Sequence, residues 1–97
     1  MVMPTAPSAP VATPVATTSV AIQNFAFSPQ VIVVPVGAKV TWTNQDVEQH
    51  TVTALDRAFN SDALNQSQPF SFTFAKPGTY QYQCLIHPQM LATVVVR

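Results

Sequence analysis

The chain has one cysteine, Cys84, so no internal disulfide is available to it. It also has little charge. Four basic and four acidic side chains are scattered through 97 residues: Lys39, Arg57, Lys76 and Arg97 against Asp46, Glu48, Asp56 and Asp62. There is no basic stripe for a phosphate backbone, so nucleic acid is not an expected partner. There is no run of like charge to make an acidic or basic tail, and long-range steering of partners would be weak. No apolar run is long enough to span a bilayer. The best of them, VIVVPVGA at residues 31–38, carries a proline and a glycine. No useful length has helical periodicity with caps. The N-terminus has neither a basic region nor an unbroken apolar one, so an intact signal peptide is not expected there.

The first 18 residues, MVMPTAPSAPVATPVATT, contain only Met, Val, Pro, Thr, Ala and Ser. They have no charge, no aromatic residue and no periodicity. Residues 1–18 therefore read as a disordered tail or linker, extended and solvated. It would suit a tether to a membrane anchor or a neighbouring domain. Residues 19–97 are then the domain, 97 − 18 = 79 residues. A domain of that size is marginal from apolar burial alone and gains from a staple. With a disulfide excluded, a metal is the staple to look for.

From Ser19 onward the pattern is that of β-strands. SVAIQNFAF has Val20 and Ile22 in one phase and Phe25 and Phe27 in the other, which suggests a bulge near Asn24. QVIVV is a β-branched run that stops at the turn signal PVG. KVTWTNQ alternates, with Val40, Trp42 and Asn44 inward. HTVTAL puts His50, Val52 and Ala54 on one face, and Thr51 outward. PFSFTF points Phe70, Phe72 and Phe74 inward, and TYQYQC does the same for Tyr80, Tyr82 and Cys84. LATVVVR closes the chain. Residues 55–68 read as loop with room for one helical turn. About seven to eight short strands with turns between them indicate an all-β sandwich or small barrel.

His50 begins one strand and Cys84 ends another, both in the inward phase. Polar groups in the core phase need partners. If the two strands are neighbours, both side chains enter the same end of the sandwich. Near Cys84 the stretch YQYQCLIHPQM adds His87 three residues on and Met90 three beyond that. Each residue alone has a plain structural explanation: a buried small cysteine, a gap-filling methionine, a surface histidine, a satisfied strand histidine. Together they are the only cysteine, both histidines and a nearby methionine of the chain. One thiolate, two imidazoles and a weak thioether are the donor set of a blue-copper electron-transfer centre. The soft sulfur ligands favour Cu(I) and the imidazoles accept either state, so copper can change oxidation state with little ligand movement.

In order and spacing the chain resembles the plastocyanin/azurin family of type 1 copper proteins, the cupredoxins. The resemblance covers essentially Val20 to Arg97. It is carried by CLIHPQM, whose C-x-x-H-x-x-M spacing and proline after the histidine are those of the amicyanin branch. FAFSP, VPVGAKVTWTNQD and QHTVTA match in order, and the histidines lie 87 − 50 = 37 residues apart. The resemblance implies a Greek-key β-sandwich with one copper per chain. His50, Cys84 and His87 would be equatorial ligands and Met90 the axial one. Many members have asparagine after the first histidine; here Thr51 stands there, and Asn44 is the inward-facing amide expected to support the ligands with it. Pro88-Gln89 places a polar residue where related loops often carry an apolar one.

What the resemblance implies for function is an electron carrier rather than an enzyme. Donor and acceptor proteins would dock transiently near His87, where the electron enters and leaves. Leu85, Ile86 and Pro88, with Pro35, Val36 and Gly37, are the expected apolar docking face. The chain would be a monomer, exported to the periplasm or another extracytoplasmic compartment, and membrane-tethered in a full-length form. Two other readings stay open. Copper storage or delivery would call for further exposed Met and His, of which only Met1 and Met3 remain. A structural zinc domain of the same shape would use the same Cys and His ligands.

Overall fold

The computed structural model describes residues 13–97. The expected tail falls outside the described residues over its first twelve positions. Its last part does not: β1, Val15–Ala16, pairs in parallel with Ile32 and Val33, so the sheet begins ahead of Ser19. Eight further strands follow: β2 Ser19–Gln23, β3 Ala26–Ser28, β4 Val31–Val34, β5 Lys39–Asn44, β6 Thr53–Ala54, β7 Pro69–Thr73, β8 Gly78–Gln83 and β9 Leu91–Val96. The count exceeds the expected seven to eight because β1 and β6 are two-residue strands.

The strands form two mixed sheets, in the orders β1-β4-β9-β8-β6 and β3-β2-β5-β7. Their facing sides make the core. Alternation fixes which side chains enter it. In β5, Val40, Trp42 and Asn44 are buried while their neighbours are not, as the sequence pattern requires. Ile22, Ile32, Val34, Val94 and Val96 complete the aliphatic part from β2, β4 and β9. Trp42 lies at the centre, its ring 5.5–5.7 Å from those of Phe59, Phe70 and Tyr82.

Four local expectations are corrected. The phase switch at Asn24 is not a bulge. Gln23 pairs with Ala26, so Asn24 and Phe25 are the two central residues of a tight hairpin, both left-handed, with φ of 54° and 58°. A turn of this kind reverses the chain and lets Phe27 rejoin the core opposite Ile22. Phe25 is left outside, and the left-handed conformation costs a residue like it about 1–2 kcal/mol. Phe70 and Phe72 are only partly buried, because β7 is an edge strand. Thr51 was expected to face outward, but Thr51 to Ala54 are all buried. The reason is the segment 55–68, which folds back over them: Ser61 Oγ accepts the Val52 N–H at 2.8 Å, and the Ala54 N–H reaches Phe59 O at 2.9 Å. That segment contains no helical turn. Arg57, Asp62 and Ser67 sit at positive φ and interrupt any helical run, and Phe59 and Leu64 from the same segment enter the core.

The long axis of the sandwich has two distinct ends. β4 and β9 run in parallel, with Val31 beside Thr93 and Val34 beside Val96. Met90 precedes β9 and Pro35 follows β4, so Pro35, Val36 and Gly37 lie at the end opposite Met90, roughly 20 Å away at about 3.3 Å per residue. They form a turn closed by the Ala38 N–H on Pro35 O at 3.1 Å, with Gly37 at φ 91°. They do not contribute to a surface around His87.

Replacing Trp42 with alanine should lower the unfolding free energy of the metal-free protein by about 3–5 kcal/mol, since it empties the middle of the core. Chemical denaturation followed by circular dichroism measures it; a loss below about 1 kcal/mol would contradict the central role of this ring.

Candidate metal centre

Pairing of β6 with β8 sets Thr53 opposite Gln83 and Ala54 opposite Tyr82. His50 lies three residues before the first of these pairs and Cys84 one residue after it, at the same end of the sandwich. Both are fully buried. His87 follows in the β8–β9 loop and is partly exposed. The Cys84 Sγ is 3.7 Å from the Nδ1 of His50 and 3.7 Å from the Nδ1 of His87. All three ligand atoms lie within 4.8 Å of one another. These separations fit a shared ion: metal–sulfur and metal–nitrogen bonds of about 2.3 and 2.0 Å, about 120° apart, put the two donors about 3.7 Å from each other.

Met90 is buried at the far end of the same loop. Its N–H bonds His87 O at 2.9 Å, and its carbonyl accepts the Cys84 N–H at 3.2 Å. The loop therefore closes on itself between the cysteine and the methionine. Thr51 braces it from the neighbouring segment of the same sheet, just ahead of β6. The Thr51 N–H points at Cys84 Sγ at 3.4 Å, and its Oγ1 accepts the Leu85 N–H at 2.8 Å. A threonine thus ties the two ligand segments together. An N–H aimed at the sulfur stabilises negative charge on it.

Asn44 acts from below. Its Nδ2 donates to Glu48 O at 3.0 Å and Leu64 O at 2.8 Å, and its Oδ1 accepts the Asp46 N–H at 3.0 Å. Leu64 in turn exchanges backbone hydrogen bonds with His50. The amide therefore fixes the 44–50 turn that delivers His50.

Sequence reasoning did not single out Asp46. Its Oδ2 accepts from His50 Nε2 at 2.8 Å. The same carboxylate accepts the N–H groups of Asn24 at 2.8 Å and Phe25 at 2.9 Å. Burial works to raise the Asp46 pKa, but the hydrogen bonds from Phe25, His50 and Asn24 together outweigh it and hold the carboxyl below its usual range. An ionised Asp46 can only accept, so His50 Nε2 carries the proton and the Nδ1 lone pair is turned toward Cys84. The available sequence signal was the i, i+4 spacing of Asp46 and His50, which acquires meaning only once the turn between them is known.

The cupredoxin-like domain model matches residues 1–96. Amicyanin-alpha of Methylorubrum extorquens is 33% identical over 88 residues, covering 86% of this chain and 74% of that protein. Amicyanin of Paracoccus denitrificans is 37% identical over 68 residues, covering 65% of this chain and 52% of that protein, so the chain spans about half of it. Among solved structures, a purple cupredoxin from Nitrosopumilus maritimus superposes with a TM-score of 0.79 at 30% identity, over 84% of this chain and 100% of that one. The chain belongs to the cupredoxin-like domain family. His50, Cys84 and His87 are its candidate ligand group for a single copper.

Asn44→Ala should destabilise the metal-free protein by about 1–3 kcal/mol, because it removes the three hydrogen bonds that the buried amide makes to Glu48 O, Leu64 O and the Asp46 N–H. Copper affinity should fall by about 10–100-fold as the His50 turn loosens. Competition with a coloured chelator measures the second effect, and unchanged affinity would mean that the turn holds without the amide.

Proposed function

We propose that this chain is a small type 1 copper protein that passes single electrons between protein partners, and that His50, Cys84, His87 and Met90 are the copper ligands. The observation that carries the reading is the symmetric placing of two Nδ1 atoms at 3.7 Å from one buried thiol. Copper bound there supplies a one-electron Cu(I)/Cu(II) couple. The protein supplies rigidity. His50 is oriented by Asp46, the Cys84 sulfur receives the Thr51 N–H, and His87 is held by the closed loop that ends at Met90. A site fixed on packed strands and a braced loop relaxes little when its charge changes, which favours fast transfer. Met90 would be the weak axial donor, and its buried position at the end of the loop supports that role.

His87 is the partly exposed histidine of the pair, so its ring edge is the route by which an electron enters and leaves. Leu85 and Ile86, 41% and 48% exposed, flank it with exposed Pro88. These side chains form the face on which transient redox partners would dock. The chain would act as a monomer in the periplasm or another extracytoplasmic compartment. Its Pro/Ala/Thr-rich N-terminal residues have the composition of a tether.

The copper-loaded protein should give a reversible one-electron wave in protein-film voltammetry. In Cys84→Ser the wave and any intense visible absorption should vanish while the far-ultraviolet circular dichroism stays that of a β protein. A parent protein without a reversible wave, or a Cys84→Ser variant that keeps the colour, would overturn the assignment.

A further inference from the structure

Phe25 sits where a tight hairpin favours glycine. It is the second central residue of the Asn24-Phe25 turn, and both residues have positive φ. A bulky side chain in that conformation persists only when its surroundings over-determine it, and such sites gather where there is function. Here the surroundings are identifiable. The Asp46 carboxylate accepts both N–H groups of the turn and also holds His50 Nε2. The ring of Phe25 then meets both histidines edge to face. Its centroid is 5.1 Å from His50 and 4.9 Å from His87, with interplanar angles of 87° in each case. The two histidine rings are 5.0 Å apart, so the three rings make a nearly equilateral triangle.

The two histidines differ in what else holds them. His50 is fully buried and bonded to a carboxylate. His87 is partly exposed, and among the described residues Cys84 Sγ is the one polar contact of its ring. The aromatic rings packed against it are those of Phe25 and His50. Beside that ring opens a cleft of about 230 Å³ lined by Phe25, Phe27, Gln30, Gln89 and Met90. With the ring gone, the cleft would extend toward both histidines.

We propose that Phe25 is the positioning residue for His87: clamped through Asp46, its ring holds the His87 imidazole at its ligand angle and keeps water from the metal. This rests on the reading of His50, Cys84 and His87 as copper ligands. The clamp also couples the two histidines, because the carboxylate that orients His50 fixes the backbone from which Phe25 reaches His87. Water admitted to the site would favour the more highly charged oxidised state, so loss of the ring lowers the reduction potential.

The test compares the parent with Phe25→Gly and Phe25→Tyr. Glycine is the residue the turn favours, so the first variant should fold, and circular dichroism with thermal unfolding verifies that it does. The second keeps the ring. Three quantities are read: side-chain nitrogen relaxation of His87 in the metal-free protein, water-proton relaxation by the Cu(II) form, and the reduction potential. In Phe25→Gly the His87 ring should become more mobile, water relaxation should rise several-fold and the potential should fall, while Phe25→Tyr stays with the parent. A folded Phe25→Gly that matches the parent in all three would overturn the proposal, as would a Phe25→Tyr that departs as far as Phe25→Gly. If the parent binds copper without a type 1 spectrum, the ligand assignment itself fails. The metal-free relaxation then still decides whether Phe25 holds His87.

Discussion

The pairing of β6 with the end of β8 is the contact on which the centre depends. β6 has only two residues, yet Thr53 opposite Gln83 and Ala54 opposite Tyr82 determine that His50 and Cys84 enter the same end of the sandwich. Side chains alternate with a period of two and β8 is held by six pairs to β9, so a slip of β6 by one residue would turn the His50 side away and separate the imidazole from the thiol. A two-residue strand cannot hold that register alone. The segment 55–68 covers it from outside, and the Thr51 main chain and hydroxyl grip Cys84 and Leu85 directly. The donors are therefore held in place by contacts of the protein itself.

Around that pairing the centre is organised by few polar groups. Asp46 joins the β2–β3 turn to His50, Asn44 joins the 44–50 turn to the segment carrying Leu64, and Thr51 joins the two ligand segments. Each bond runs between segments that are stiffened by a sheet or a tight turn. A site of this construction has little freedom to rearrange when an electron arrives, which is the physical content of the electron-carrier reading. The local rules broken nearby fit the same view. A phenylalanine in a left-handed turn and a carboxylate drawn partly out of water are departures that sequences tend to keep at functional places.

Much of the fold was legible because one face of each sheet is buried. Val40, Trp42 and Asn44 followed from alternation, and so did the inward aim of His50 and Cys84. The short C-x-x-H-x-x-M loop gathers a thiol, an imidazole and a thioether within seven residues, and that crowding pointed to a metal centre. What escaped was decided between distant segments. Thr51 looked outward because nothing local announces that residues 55–68 return over it. Pro35 to Gly37 were placed near His87 because a parallel pairing such as β4 with β9 leaves no local trace of which ends coincide. Asp46 and Phe25 were missed as parts of the centre because the bond between them joins residues 21 apart in the chain. The Asn-Phe hairpin itself was hidden because the glycine that normally marks such a turn is absent.

The most direct test of the account is a Cu(II) titration of the purified metal-free protein, followed by visible absorption and electron paramagnetic resonance. The account predicts an intense blue colour and a narrow copper hyperfine splitting, both saturating at one copper per chain. A pale solution with an ordinary tetragonal copper signal would contradict it, because it would mean that the Cys84 thiolate and the two imidazoles do not bind copper together.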